Sequence, residues 1–242
     1  MRRTSLGAGV AAAITDRRGG VSAAPYDTLN LAAHVGDQPS DVATNRGRLA
    51  AALGLGLGDL VWMDQRHGRE VAVVTERSAG PVSGVDGLVT TERGIALAVL
   101  VADCVPVLLA DPQVGVVGVA HAGRRGLAAG VIDAVVEAMS GRGADPARMD
   151  AIVGPGICRE HYEVAADVRD EVGAAVSGSV ATTAAGRPAL DLPAGALRRL
   201  KELGLKRAAL FADCTYEDPL LYSYRRDGTT GRFAALVWLE PA

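Results

Sequence analysis

The chain is short of several things, and each shortage removes a class of function. It has three cysteines in 242 residues, at positions 104, 158 and 214. An odd, widely spaced set is not the disulfide framework of a small secreted protein, so reduced thiols in a cytoplasmic setting are expected. There are four histidines and no H-x-H pair. Aromatic residues make up 4% of the chain, which leaves few platforms for stacking bases. No block of basic residues occurs and the net charge is -3, so neither nucleic acid nor an anionic membrane is the expected partner. No apolar run approaches the ~20 residues that a membrane-spanning helix needs. The opening MRRTSLGAGVAAAIT pairs two arginines with a short apolar patch. Gly7 and Gly9 break that patch and charged residues follow it, so it reads as the approach to a strand rather than a signal peptide.

What remains is an ordinary globular balance, 49% hydrophobic and 22% charged, with enough chain to bury one sizeable core. One domain over 1–242 is expected. Short Val-rich runs bounded by turn residues predict strands at 10–15, 60–63, 70–75, 88–91, 150–154, 208–211 and 233–239. Two more flank the turn at 111–115. A helix is expected from Ser40 or Asp41, either of which can cap it, to a glycine stop at Gly54. Further helices are expected at 126–139, 165–176 and 191–203, the last with Pro193 in its first turn. Residues 21–37 read as an ordered loop and 180–188 as a polar loop. The strands come in hairpin-like pairs more than in steady βαβ alternation, which predicts an α+β fold.

The chemistry centres on 98–127. Cys104 and His121 each sit beside a buried-strand run, and His67 comes from the loop Asp64-Gln65-Arg66-His67-Gly68-Arg69. Two imidazoles and a thiolate suit a borderline-soft cation. Catalytic zinc takes three protein ligands and keeps a fourth position for water or substrate. The same set suits copper, where Met63 is near in sequence for a weak axial role. A metal-free alternative makes Cys104 a nucleophile with His67 or His121 as its base. A third leaves the residues unrelated: a loop histidine, a buried thiol and a core histidine. Small residues beside both histidines, Gly68 and Ala122-Gly123, leave room for a ligand, and Asp103 is placed to orient a neighbouring imidazole. Cys158 and Cys214 read as small buried residues, and His161 as a solvent-facing one.

Seven segments then fall into a familiar order: GGVSAAPYDTLNLAAHVGD (19–37), VWMDQRHGREV (61–71), VDG (85–87), VADCVPVLLADP (101–112), VAHAGRRGL (119–127), VGPGICREHYEV (153–164) and YSYRRDGTTGR (222–232). Together they closely resemble the YfiH family, also called the laccase-domain or multicopper polyphenol oxidase family, over nearly the whole chain. The resemblance implies a layered α-β-β-α sandwich with mixed sheets. It implies a metal site of His67 in Q-x-HG, Cys104 in ADC-x-PV and His121 in HAG-x-RG, holding zinc, with copper as the alternative. The implied activities are phosphorolysis of adenosine, inosine and methylthioadenosine and hydrolytic deamination of adenosine, so purine nucleosides and phosphate are the implied partners. Older family names imply copper-dependent phenol oxidation, and one bacterial role implied is editing of peptidoglycan precursors.

Two departures stand out. Arg124 occupies the position where the family has Trp, which alters the shape and charge of the pocket wall. Cys158-Arg159-Glu160-His161 replaces a Gly-Pro-Cys-Cys-like run, so no function is carried onto Cys158. For phosphorolysis the anion needs a cradle. Arg125 at a helix start, with Arg46 or Arg48 from the first helix, is the expected one, and Asn45 and His34 are further substrate candidates. Arg124 reads as surface charge, and Arg225 and Arg226 as either cleft or solvent residues. Asp86 is expected to donate a proton or to orient His67. A monomer is expected. Four histidines are too few for a self-contained multicopper oxidase.

Overall fold

The computed structural model describes residues 1–78 and 80–241. In chain order its elements are β1 (Arg2–Ser5), β2 (Val10–Ile14), α1 (Pro39–Leu53), β3 (Leu60–Asp64), β4 (Val71–Val74), β5 (Val82–Ser83), β6 (Gly87–Thr90) and β7 (Ala96–Val101). There follow β8 (Val105–Asp111), β9 (Val116–Ala122), α2 (Arg124–Ala129), α3 (Val131–Ser140), β10 (Asp150–Val153), α4 (Ala166–Ala175) and β11 (Val180–Thr182). The chain ends with β12 (Pro188–Leu190), α5 (Leu192–Glu202), β13 (Arg207–Leu210), α6 (Tyr224–Asp227) and β14 (Phe233–Leu239).

Two mixed sheets form, in the orders β1-β2-β14-β7-β3-β5 and β13-β10-β8-β9-β6-β4. Successive side chains on a strand point to opposite faces, so alternate residues sort into different layers. On β14, Phe233, Ala235 and Val237 join the core between the sheets, while Ala234, Leu236 and Trp238 pack with Leu49, Ala50 and Leu53 of α1. β7 repeats the division, with Leu97 and Val99 inward and Ala96 and Ala98 toward α1. In the second sheet Leu108, Val117 and Val119 face the first. Val107, Leu109 and Ala120 face outward onto Ile132, Val135 and Met139 of α3 and Leu200 of α5. The result is the α-β-β-α layering of an α+β fold. At Gly118 the helix presses directly on the sheet: a Cβ there would stand 2.8 Å from the Met139 sulfur.

That alternation aims the site. His121 shares its side of β9 with Val117 and Val119. Cys104, one residue before β8, packs against the inter-sheet core. Both side chains therefore emerge at one end of the central layer, on strands paired so that Pro106 stands opposite His121.

Several elements differ from the sequence expectation. The helix expected at 126–139 is two helices, because Gly130 takes φ 88 between α2 and α3, and α2 starts two residues early at Arg124. α1 is not capped by Ser40 or Asp41. Gln38 is the N-cap, without a side-chain cap bond, and Pro39 opens the helix, where its fixed φ and missing N–H cost nothing. The stretch at 180–188 is no loop: Val180 pairs with Leu190 and Thr182 with Pro188 in a small hairpin. Its short, exposed first strand carries no alternation to read. Strand β1, rich in arginine and mostly exposed, pairs along the edge of β2. Among the described residues no helix is long and apolar enough to cross a membrane.

Candidate metal centre

His67 sits in the loop after β3 with φ 60, the left-handed region that non-glycine residues rarely occupy. One carboxylate holds it there. Asp86, fully buried just before β6, accepts the backbone N–H groups of Arg66 at 3.0 Å, His67 at 2.9 Å and Gly68 at 2.7 Å. The same carboxylate takes Nδ1 of His121 at 2.7 Å. With Nδ1–H donating to Asp86, Nε2 is the ring atom turned to Cys104 and the one that would ligate a metal on losing its proton. Gln65 anchors the loop from the other side. Its amide exchanges two 2.9 Å hydrogen bonds with the main chain of Leu100, as a neighbouring strand would.

Cys104 has its own brace. Asp103 also has positive φ, at 89. Its carboxylate accepts the Thr215 and Ser223 hydroxyls, both at 2.6 Å, and the backbone N–H of Arg225 at 2.7 Å. Asp103 therefore orients no imidazole. Asp86 does that for His121, and it fixes His67 through the backbone rather than the ring. Asp86 is also no proton donor. Burial alone would raise its carboxyl, but His121 and the loop amides outweigh this and hold it below its ordinary value.

The three side chains meet. Sγ of Cys104 is 3.8 Å from Nε2 of His67, and the two imidazole rings stand edge to face with centroids 4.7 Å apart. All three donor atoms lie within 4.8 Å of one another. A tetrahedral zinc with bonds of about 2.0–2.3 Å sets its ligand atoms about 3.3–3.8 Å apart, so small movements would close the set around an ion. Room is kept by Gly123: a Cβ there would lie 2.9 Å from the His67 ring and 3.0 Å from the Cys104 sulfur. Without an ion the set is a thiolate–imidazolium pair, and a metal would take the place of the second ring proton of His121. Burial opposes ionisation of both groups, yet the two imidazoles bring the Cys104 thiol down to about 6. The Cys104 charge and the Asp86 carboxylate bring His121 up to about 9. His121 is buried, Cys104 half-buried and His67 exposed, so the set has one open side.

That side faces a cavity of about 470 Å³, which His34, Tyr162, Tyr224, Arg225 and Arg232 also line. The arginines expected to form the anion cradle are elsewhere. Arg125 is exposed and does not line the cavity. Arg46 gives its Nε–H to Leu31 O at 2.9 Å and covers the Trp62 ring. Arg48 bonds Gly19 O and Gly20 O on the surface. Asn45 is fully buried and pins the 21–30 loop through Ser22, Thr28 and Asn30. Of those candidates only His34 reaches the cavity. The cationic wall is instead Arg225, whose guanidinium lies over the Tyr162 ring at 5.1 Å, and Arg232 over Tyr224 at 5.8 Å. Arg226 turns inward to the carbonyls of Thr215, Tyr216 and Leu221. Arg124 is half-buried at the start of α2 and does not line the cavity. The signal for the true wall was the YSYRRDGTTGR segment, but nothing in its spacing separates Arg225 from Arg226 or singles out Arg232.

A His-Cys-His donor set at the open end of a four-layer α+β sandwich defines a recognisable class. The family model for multi-copper polyphenol oxidoreductase laccase matches residues 11–240, and the chain belongs to that family. It is 52% identical over 234 residues to a Streptomyces griseus protein named purine nucleoside phosphorylase ORF3, covering 94% of each chain. It is 49% identical over 226 residues to the Mycobacterium tuberculosis purine nucleoside phosphorylase Rv2149c, covering 93% of this chain and 90% of that one. Among solved structures, YlmD from Geobacillus stearothermophilus superposes with a TM-score of 0.91 at 36% identity, covering 97% of this chain and 93% of that one. Bacillus licheniformis YfiH does so with 0.89 at 32% identity, covering 96% and 93%.

Proposed function

We propose that the protein is a zinc-dependent purine nucleoside phosphorylase that cleaves adenosine, inosine and methylthioadenosine and also deaminates adenosine hydrolytically. The observation that carries this reading is that one cavity holds both the His67, Cys104 and His121 donors and the Arg225 and Arg232 cations. The names of the relatives at about half identity support it. Donors from the middle of the chain and cations from its end serve one cavity, which supports reading 1–242 as one domain. Three free thiols support a cytoplasmic setting, and a monomer suffices because one chain supplies every group named.

When bound, zinc would supply Lewis acidity and an activated water. The residues of the chain do the rest. Arg225 and Arg232 hold phosphate through charge-assisted hydrogen bonds and keep it close to the sugar. A phosphate oxygen bonds to the sugar carbon C1′ as the bond to the purine nitrogen breaks, and the departing base keeps the electron pair and takes the proton that the hydrogen phosphate gives up. Burial and the Arg232 charge lower the His34 pKa, so at neutral pH His34 is a neutral hydrogen-bonding partner for the base. Tyr162 and Tyr224 offer flat faces for the purine. Asp86 keeps both imidazoles in place throughout.

One observation favours a second reading. A thiol brought down to about 6 with an imidazole 3.8 Å away resembles a cysteine nucleophile and its base, as in a hydrolase that edits peptidoglycan precursors. Copper-dependent phenol oxidation fits less well, because two imidazoles cannot ligate a multicopper centre. The deciding assay uses inosine with and without phosphate, under argon, before and after chelation. Phosphate-dependent release of hypoxanthine that chelation stops and zinc restores supports the proposal. Turnover that survives chelation turns the reading to the cysteine hydrolase, and turnover of phenols that requires oxygen turns it to the oxidase.

A further inference from the structure

A second set of donors lies outside the cavity. Cys158, His161, Cys214 and Glu217 bring four ligand atoms within 4.8 Å of one another. They sit on two loops, one after β10 and one after β13. These strands pair in parallel from Asp150 with Arg207 to Val153 with Leu210, and a bridge between Gly156 and Cys214 extends the pairing.

The loops repeat one design. In the first, the carbonyl of Cys158 accepts the backbone N–H groups of His161 and Tyr162, both at 3.1 Å. In the second, the carbonyl of Cys214 accepts those of Glu217 at 3.2 Å and Asp218 at 2.9 Å. Each turn brings the side chains of residues i and i+3 to the same side, so C-x-x-H faces C-x-x-E. The backbone N–H of Cys158 donates to Sγ of Cys214 at 3.2 Å, tying the two turns together.

Distances within the set are those of a coordination polyhedron. Sγ of Cys158 stands 3.2 Å from Nδ1 of His161 and 3.6 Å from Oε1 of Glu217, and those two atoms are 3.3 Å apart. A tetrahedral zinc with Zn–S near 2.3 Å and Zn–N or Zn–O near 2.05 Å has edges of about 3.3–3.6 Å between unlike donors. Stacking on Tyr216, with centroids 4.2 Å apart and rings 15° from parallel, fixes the imidazole.

We propose that Cys158, His161, Cys214 and Glu217 form a second zinc site, structural in role, that staples the loop after β10 to the loop after β13. Two thiolates and an imidazole select zinc over magnesium or calcium, and four protein ligands leave no position for a reactant. A disulfide between the cysteines would use two of the four groups and leave the placement of His161 and Glu217 without a role. The staple reaches the first site through Thr215, whose hydroxyl bonds Asp103 beside Cys104.

The test is elemental analysis of the full chain, purified without a metal-affinity tag under reducing, argon-flushed conditions. Wild type should carry two zinc ions, Cys104→Ala one, Cys158→Ala one and the double variant none. Glu217→Ala provides a second route that leaves the packing intact, since this side chain is 58% exposed. In the Cys104→Ala background it should speed zinc transfer to a chelator at least tenfold. Cobalt loaded into Cys104→Ala should show thiolate-to-cobalt charge transfer that Cys158→Ser roughly halves and the Cys158→Ser/Cys214→Ser pair removes. A folded Cys104→Ala protein without metal, zinc release indifferent to Glu217→Ala, or a Cys158–Cys214 disulfide formed under argon would overturn the proposal. One zinc lost with Cys158→Ala but not with Cys104→Ala would uphold it and instead remove the basis of the phosphorylase reading.

Discussion

The two donor clusters are built in opposite ways. His67, Cys104 and His121 come from three separate parts of the chain, and none would meet another without the sheets. Their aim depends on two carboxylates, the buried Asp86 and the half-buried Asp103, that hold His67 and Asp103 itself at positive φ. Cys158 and His161, and Cys214 and Glu217, are instead local pairs formed by two turns on adjacent strands. The first cluster has three donors facing a cavity of about 470 Å³, and the second has four donors, of which Cys158, Cys214 and Glu217 line a cavity of about 320 Å³, so the two differ in donor number and not in access. The difference teaches where the fold spends its precision. A site meant to bind and release a reactant needs a free position and therefore an outside scaffold to keep three ligands apart, whereas a staple needs only short turns.

The contrast can be broken most severely at Cys104. Cys104→Ala should cut phosphorolysis of inosine about a thousandfold or more, the kinetic equivalent of the several kcal/mol that a metal Lewis acid supplies. Cys158→Ala should spare turnover and cost stability alone. Zinc at a thousandfold excess over its Kd stabilises the folded chain by about 4 kcal/mol, so calorimetry should find the melting temperature about 8–16 °C lower while kcat stays within a few-fold. Asp86→Asn tests whether the scaffold matters as much as the ligands: it should weaken metal affinity or activity about 10–100-fold, and added zinc should recover part of the activity. Arg232→Ala should raise the KM for phosphate about 10–100-fold, as for a lost charge-assisted hydrogen bond, whereas Arg125→Ala should leave it unchanged.

The smallest effect is a difference in thiol reactivity after metal removal. The Cys104 thiol lies at about 6, so its thiolate prevails above that pH and is lost as pH falls through it. Alkylation should therefore be rapid at pH 7 and drop about tenfold for each unit below 6. Burial, with Cys214 and Glu217 beside it, pushes the Cys158 thiol up to about 12, so Cys158 should stay unmodified at pH 7. Mass spectrometry of the labelled peptides separates the two, and equal labelling would contradict the assigned environments.

The meeting of His67, Cys104 and His121 was legible through the family resemblance that Q-x-HG, ADC-x-PV and HAG-x-RG carry, with small residues beside both histidines to leave room. The strands of the core were legible because their apolar side chains alternate or run continuously, as in 233–239. The cationic wall of the cavity was not. Arg124 and Arg125 differ by one helical step, about 100° of rotation, and no pattern in RRGL says which faces Tyr162. Asn45, Arg46 and Arg48 share a helix with an apolar stripe, yet the first two turn inward to fix a loop and cover Trp62. Asp86 was singled out, but its bond to His121 depends on the pairing of β6 with β9, a contact 35 residues apart in sequence. The second cluster was overlooked because C-x-x-H and C-x-x-E are unremarkable until parallel pairing of β10 and β13 sets them face to face.

Gly123 carries a lesson for reading other chains of this kind. Its hydrogen in place of a methyl group is what separates the His67 ring from the Cys104 sulfur by enough to admit an ion. A relative with alanine at this position would keep all three ligands, both carboxylates and the whole sandwich, and would pass every comparison of donor residues. It would nevertheless have a filled centre. Whether such a gene product is an enzyme or a retired copy is then written in one missing carbon rather than in the residues that name the site.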